Sequence, residues 1–112
     1  MKITLPWPPK ELSPNARVHW AVKAKAAKTY RQLCAILTRQ SGAKAKGSPL
    51  NITVSFHPPD NRPRDDDNYI SAFKPGRDGV ADALGIDDKH FHPTYQPRQA
   101  PIKGGAVIIE ME

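Results

Sequence analysis

Alternation of apolar and polar residues marks the strands of this chain. From Leu50 to Phe56, an apolar residue stands at every second position, which predicts a strand with one buried face. Shorter patterns of the same kind predict three further strands, at residues 2–5, 92–98 and 106–111. Because Pro93 and Pro97 cannot donate ladder hydrogen bonds, their strand is expected at an edge of the sheet.

Two segments show helical periodicity. Residues 18–40 place apolar side chains at steps of three and four, which predicts a helix with one buried stripe. That stripe consists of Val22, Ala26, Tyr30, Leu33 and Leu37. A second helix is predicted over residues 67–84, ended by Gly85. A kink or break is expected at residues 74–76, because Pro75 removes a helical hydrogen bond and crowds an earlier carbonyl group.

The order of these elements, β-α-β-α-β-β, predicts an α+β fold. We expect a small mixed four-stranded sheet with two helices packed on one face, forming one domain over residues 1–112. The chain contains no apolar run of about 18 residues, which argues against a membrane span. With no signal-peptide pattern and a single cysteine, Cys34, we expect a cytoplasmic protein.

Charge is distributed unevenly along the chain. Residues 1–59 carry ten Lys or Arg and one acid, whereas residues 60–112 carry seven Lys or Arg and ten acids. All eight aspartates lie between Asp60 and Asp88. This pattern is typical of an enzyme acting on a polyanion, in which the basic part holds phosphates and the acidic part holds a metal. The alternative is a basic domain whose aspartates cap helices and turns.

Three consecutive aspartates form the most distinctive stretch. A divalent cation would turn their mutual repulsion into attraction. Asp65 and Asp67 should project to one side of an extended segment entering a helix, with Asp66 opposite, although Asp66 or Asp67 could instead cap that helix. A second pair, Asp87 and Asp88, follows the helix. Because a helix of about 18 residues is roughly 27 Å long, a kink or a returning loop must bring the two groups together.

Five short segments occur in an order that resembles a known family. They are ITLPWPP at residues 3–9, RDDDN at 64–68, DAL at 82–84, DD at 87–88 and KGG at 103–105. Together they resemble the RusA-type Holliday-junction resolvases, an endodeoxyribonuclease family common in prophages. The resemblance covers nearly the whole chain. Its most specific part is Arg-Asp-x-Asp-Asn, followed about twenty residues later by Asp-Asp.

The resemblance implies a homodimeric, Mg²⁺-dependent enzyme, with Mn²⁺ as a substitute ion. It would make paired symmetric nicks in four-way DNA junctions during recombination and repair. Three carboxylates would be both catalytic and metal ligands: Asp65, Asp67 and Asp88. The family's catalytic lysine would stand where this chain has Ser71. We therefore assign the role of the catalytic lysine to Lys74, with Lys89 as the second choice.

Further residues are expected to support this site. Asn68 and Asp87 would help to orient the metal ligands. Cationic side chains would bind the DNA phosphates, and the candidates are Arg62, Arg64, Lys23, Lys25, Lys28, Arg31 and Lys89. The residues of the first helix have no acidic partner within that helix.

Two other functions fit parts of the sequence. A non-catalytic nucleic-acid-binding module would use the basic surface alone, and its DNA binding would be indifferent to Asp67→Asn. A metal-binding structural or interaction protein would not bind DNA at low salt. Zinc at His90 and His92 would lack evident third and fourth ligands.

Overall fold

The computed structural model describes residues 1–47 and 49–111, and for Asp88 it describes the backbone alone. Its strands are β1 (Lys2–Pro6), β2 (Leu50–His57), β3 (Phe91–Gln96) and β4 (Ala106–Met111). Its α-helices are α1 (Trp20–Gln40), α2 (Asp66–Ala72) and α3 (Lys74–Leu84). Short 3₁₀ turns lie at Lys10–Leu12 and Asp88–His90. The predicted α+β class is confirmed.

The four strands form one mixed sheet in the order β1-β4-β2-β3. Strand β4 runs antiparallel to β1 and β2, whereas β2 and β3 are parallel. The strands β1, β2 and β3 therefore all end at the same end of the sheet, which we call the carboxyl end. Strand β3 lies at the edge, as its prolines predicted, and Pro93 stands beside Ile52 of β2.

One face of the sheet carries the core. The alternating residues of β2 are buried as predicted, and Val54 and Phe56 are completely inaccessible. Phe56 meets the ring of Phe73 edge-on, with the ring centroids 5.6 Å apart. Buried side chains of all three helices join the same apolar cluster. The helices thus pack on one face of the sheet, as the fold class required.

The buried stripe of α1 differs from the predicted one. Val22 and Leu33 are exposed, at 49% and 40%, whereas Tyr30, Cys34 and Thr38 line the core. Thr38 can be buried because its hydroxyl donates to the carbonyl oxygen of Cys34 at 2.7 Å. The predicted stripe contained only apolar residues and therefore left out Thr38. Within the described residues, no helix is long and apolar enough to cross a membrane.

The second predicted helix is two helices. The break falls at Phe73, directly before the predicted position, and Pro75 lies in the first turn of α3, where its missing N–H costs least. Helix α3 then packs closely along α1. A Cβ atom added at Gly79 would overlap the carbonyl oxygen of Arg31, so the two helices touch through backbone. Gly85 ends α3 with φ +69°, as predicted.

Candidate metal and nucleic-acid site

The loop between β2 and α2 is organised around Asp60. Its carboxylate lies 2.9 Å from Nη1 of Arg64 and 3.4 Å from Nε of Arg62. Arg64 also donates to the carbonyl oxygens of Asp60 and Arg62, each at 3.2 Å. The hydrogen bond from Arg64, followed by that from the Arg62 backbone, lowers the pKa of Asp60 to about 2. Arg64 is therefore engaged within its own loop, whereas the side chain of Arg62 is 78% exposed and accessible to a phosphate.

Asp65 is the residue that caps α2. It has an extended backbone, and its Oδ1 accepts a hydrogen bond from the backbone N–H of Asp67 at 2.9 Å. The interpretation that Asp66 or Asp67 caps the helix is therefore wrong. The cap has to precede the first helical residue, which is Asp66. The second carboxylate oxygen of Asp65 takes no part in the cap.

Asp66 belongs to a separate network with Tyr69 and Arg98. The Tyr69 hydroxyl donates to Asp66 Oδ1 at 2.7 Å, and Arg98 Nε donates to the same oxygen at 2.6 Å. The backbone N–H of Arg98 in turn donates to the Tyr69 hydroxyl at 3.0 Å. The hydrogen bonds from Tyr69 and Arg98 lower the pKa of Asp66, while burial is the main cause that raises the pKa of Tyr69 to about 12.

Arg98 was not predicted from the sequence. It holds a positive φ of 56°, which is unusual for a residue with a side chain, and the hydrogen bonds to Asp66 and Tyr69 accompany that conformation. Its guanidinium also donates to the carbonyl oxygen of Arg64 at 3.2 Å. Arg98 thus ties the end of β3 to the start of α2. An isolated arginine after a proline gave no sequence signal for this role.

Asp67 differs from its two neighbours. It is exposed, and within the described residues no hydrogen bond or ion pair engages its carboxylate. Both of its oxygens are therefore available to a ligand. The three aspartates have separate environments: Asp65 caps the helix, Asp66 is paired with Arg98, and Asp67 faces solvent.

The second acidic group lies at the other end of β3. The 3₁₀ turn Asp88–His90 comes directly before Phe91, which pairs with Leu50 at the start of β2. By contrast, the Tyr69 hydroxyl of α2 contacts the backbone of Arg98, beyond the end of β3. Since a strand rises about 3.3 Å per residue, the five steps of β3 separate its ends by about 16 Å.

One chain therefore does not bring the backbone of Asp88 close to Asp65 and Asp67. Neither the break at Phe73 nor the loop after α3 returns the chain to the start of α2. The side chain of Asp88 lies outside the described residues. Among the side chains that are described, no group of three or more His, Cys, Asp or Glu is placed to hold a metal ion. Asp87 uses its own carboxylate to accept from the Lys89 backbone N–H at 3.1 Å.

The candidate lysines are also distributed differently from the prediction. Lys74 lies after the helix break, and its ammonium group is 3.3 Å from both oxygens of Asp78. Lys23 of α1 lines a shallow cleft together with Ser71, the position at which the family lysine would stand. The ammonium group of Lys23 donates to the carbonyl oxygen of Ser13 at 3.4 Å.

The basic face of α1 is partly neutralised by α3. Arg31 donates to both carboxylate oxygens of Asp82, at 2.7 and 2.9 Å. The hydrogen bond from Arg31 lowers the pKa of Asp82. In the part of the chain that the structure describes, Lys25 and Lys28 are exposed and form no such ion pair. Of the predicted α1 contacts, these two lysines are therefore the most accessible to DNA phosphates.

A cavity of about 470 Å³ opens beside Asp65. One wall comes from the segment after β1, through Trp7, Lys10, Ser13 and Asn15, and the other wall comes from the start of α2, through Asp65 and Asn68. Both walls lie at the carboxyl end of the sheet. Asp65 thus stands next to a polar, partly aromatic recess that the sequence did not reveal.

No protein-family model matches this chain. A protein of Xylella fastidiosa (strain Temecula1 / ATCC 700964), described as "Uncharacterized protein", is 50% identical to it over 100 residues. The match covers 84% of this chain and 65% of the relative, so the chain spans less than two thirds of that relative's length.

Proposed function

We propose that this protein is a Mg²⁺-dependent endodeoxyribonuclease of the RusA type that resolves four-way DNA junctions as a homodimer, in the cytoplasm. The observation that carries the proposal is Asp67, which presents an exposed carboxylate without a partner among the described residues. Directly beside it, Asp65 keeps one oxygen outside its helix cap. Two such carboxylates, next to a strongly basic half of the chain, fit a metal site that acts on a polyanion.

The donor set fits magnesium. Mg²⁺ prefers oxygen ligands, keeps several waters and is commonly held by one or two carboxylates, which Asp65 and Asp67 supply. When bound, it would neutralise charge developing on the scissile phosphate and lower the pKa of a water molecule. Asp67 would accept a proton from the attacking water. Arg62, Lys25 and the other exposed cations would bind flanking phosphates.

A second copy of the chain would complete the site. The backbone of residue 88 precedes the start of β3, whereas Tyr69 of α2 contacts the backbone of Arg98 beyond the end of β3. Asp88 would therefore join Asp65 and Asp67 from the other subunit. Two-fold symmetry would then produce two identical composite sites, which suits paired symmetric nicks. In this arrangement the dimer is the catalytic unit.

Lys23 is the candidate for the transition-state cation. The pairing of Lys74 with Asp78 leaves it less suited to that role than the sequence suggested. Lys23 shares a cleft with Ser71, and its contact with Ser13 directs it towards a residue that also lines the cavity beside Asp65. A cation there would stabilise the additional negative charge of the transition state.

A non-catalytic DNA-binding module is the second candidate. It is favoured by the absence, among the described side chains, of a group of three or more His, Cys, Asp or Glu that could hold a metal ion. Such a module would bind DNA through Lys25, Lys28 and Arg62, and it would neither need Mg²⁺ nor respond to Asp67→Asn.

The test compares a labelled four-way junction with linear duplex of the same sequence, with and without Mg²⁺. We expect metal-dependent nicks in the junction, placed symmetrically across the branch. Asp67→Asn should abolish cleavage while junction binding persists or tightens, because phosphate repulsion falls. Glu110→Gln, which changes an exposed carboxylate on β4, serves as the charge-matched control. Junction binding without metal-dependent cleavage by the wild-type protein would support the second candidate instead.

A further inference from the structure

The cavity beside Asp65 has the size of a ligand site. Its volume of about 470 Å³ falls within the range typical of small-molecule sites. Its two walls come from segments about fifty residues apart in sequence, after β1 and at the start of α2. Two distant segments thus come together to form this recess at the carboxyl end of the sheet. The proposed roles of the metal ligands do not account for the recess.

The aromatic part of the cavity is held in place. Trp7 packs against Tyr69, with ring centroids 5.4 Å apart, and meets Phe56 edge-on at 6.3 Å. Gly105 closes against it from another side, since a Cβ atom there would stand 2.7 Å from Cβ of Trp7. A fixed indole that remains partly exposed offers a surface on which a nucleobase can stack.

The polar part of the cavity offers unused hydrogen-bonding groups. Asn15 and Asn68 both line it, and among the described residues no hydrogen bond engages either side-chain amide. An amide supplies both a donor and an acceptor, which is the combination that reads the edge of a base. Lys10 also lines the cavity, and its ammonium group has no ion pair within residues 1–47 and 49–111.

We propose that this cavity binds one unstacked nucleotide of the DNA substrate. The base lies against Trp7, the amides of Asn15 and Asn68 contact its edge, and Lys10 faces its phosphate. Because Asp65 borders the cavity, a nucleotide held there sets which neighbouring phosphodiester reaches the carboxylates. The cavity is thus a positioning site. This inference rests on the proposed action on DNA and adds a defined nucleotide pocket to it.

Photocrosslinking tests this contact without cleavage. Four-way junctions carrying one 5-iodouracil at successive positions around the branch are bound in EDTA, irradiated and digested with trypsin. Trp7 falls in the tryptic peptide of residues 3–10, and Trp20, which is 76% exposed on α1, falls in the peptide of residues 18–23. Because Trp20 is exposed and does not line the cavity, adducts on its peptide measure the crosslinking that exposure alone produces.

We expect adducts on the peptide 3–10 from one or two nucleotide positions beside the branch. The double variant N15A/N68A should reduce their yield at least fivefold, whereas Asn51→Ala, an exposed asparagine of β2, should leave it unchanged. Adducts on the peptide 18–23 alone, or a yield on 3–10 that the double variant does not change, would overturn the inference. If junction cleavage by the wild-type protein is present in that case, the proposed function stands without the pocket. If the protein neither binds nor cleaves junctions, both fail.

Discussion

Asp65 has two proposed roles, and substitutions can separate them. As the cap of α2 it accepts from the Asp67 backbone N–H at 2.9 Å, and as a metal ligand it offers its other oxygen. Asp65→Ala removes the acceptor and the charge, whereas Asp65→Asn keeps an acceptor and removes the charge alone. Asparagine caps a helix about as well as aspartate.

General values for helix caps and for charges at helix ends set the expected magnitudes. Loss of a cap acceptor costs about 1 kcal/mol, and loss of a negative charge at a helix N-terminus costs about 0.5 kcal/mol. Asp65→Ala should therefore destabilise the protein by about 1.5 kcal/mol, and Asp65→Asn by about 0.5 kcal/mol. The cap matters because α2 has only seven residues and carries Tyr69, which packs on Trp7.

Urea unfolding followed by far-ultraviolet circular dichroism measures these differences, with Glu110→Ala as a surface control expected within about 0.5 kcal/mol of wild type. For a domain of this size, a change of 1 kcal/mol corresponds to a shift in Tm of roughly 4 °C. Both Asp65 variants should lose Mg²⁺-dependent junction cleavage. Equal stability of the two variants would refute the cap, and full cleavage by Asp65→Asn would refute the ligand role.

Three further predictions concern packing, pH and the catalytic cation. Gly79→Ala should destabilise the protein by about 1–3 kcal/mol in urea unfolding, because its Cβ meets the Arg31 backbone; a gain in stability would contradict this packing. The pKa of Asp66 is lowered in the folded protein, so its ionised form contributes stability above its ordinary value of 3.8, and this contribution is lost as pH falls through the folded pKa. The difference in Tm between wild type and Asp66→Asn should therefore become smaller from pH 7 to pH 3. A constant difference would contradict the stabilising role of the hydrogen bonds that Asp66 accepts from Tyr69 and Arg98. Lys23→Ala should slow junction cleavage about 100-fold, whereas Lys74→Ala should have a small effect; the reverse order would restore the assignment made from sequence.

Much of the fold could be predicted from sequence because it depends on local pattern. The alternation in β2 and the prolines of β3 each constrain the backbone directly, and both predictions are confirmed. The buried stripe of α1 could not be predicted in full. Thr38 has a polar side chain, and it can be buried in the core because its hydroxyl donates a hydrogen bond to the Cys34 carbonyl oxygen.

The candidate site was less predictable, because its geometry depends on contacts between distant segments. The spacing of three aspartates indicated a site, but it could not show that Asp66 meets Arg98, 32 residues further along the chain. Likewise, Asp88 stands twenty-one residues after Asp67 in the sequence. The contact of Tyr69 with the backbone of Arg98 shows that α2 lies beyond the end of β3, whereas the backbone of residue 88 precedes its start.

Subunit complementation tests the central claim most directly. Asp67→Asn and Asp88→Asn chains, each with a different affinity tag, are produced together, and the mixed dimer is purified through both tags. If each site combines Asp67 of one subunit with Asp88 of the other, one site of the mixed dimer is intact. We expect each variant alone to be inactive and the mixed dimer to recover about half of the wild-type nicking in Mg²⁺. A mixed dimer that binds the four-way junction but is as inactive as either parent would contradict the account.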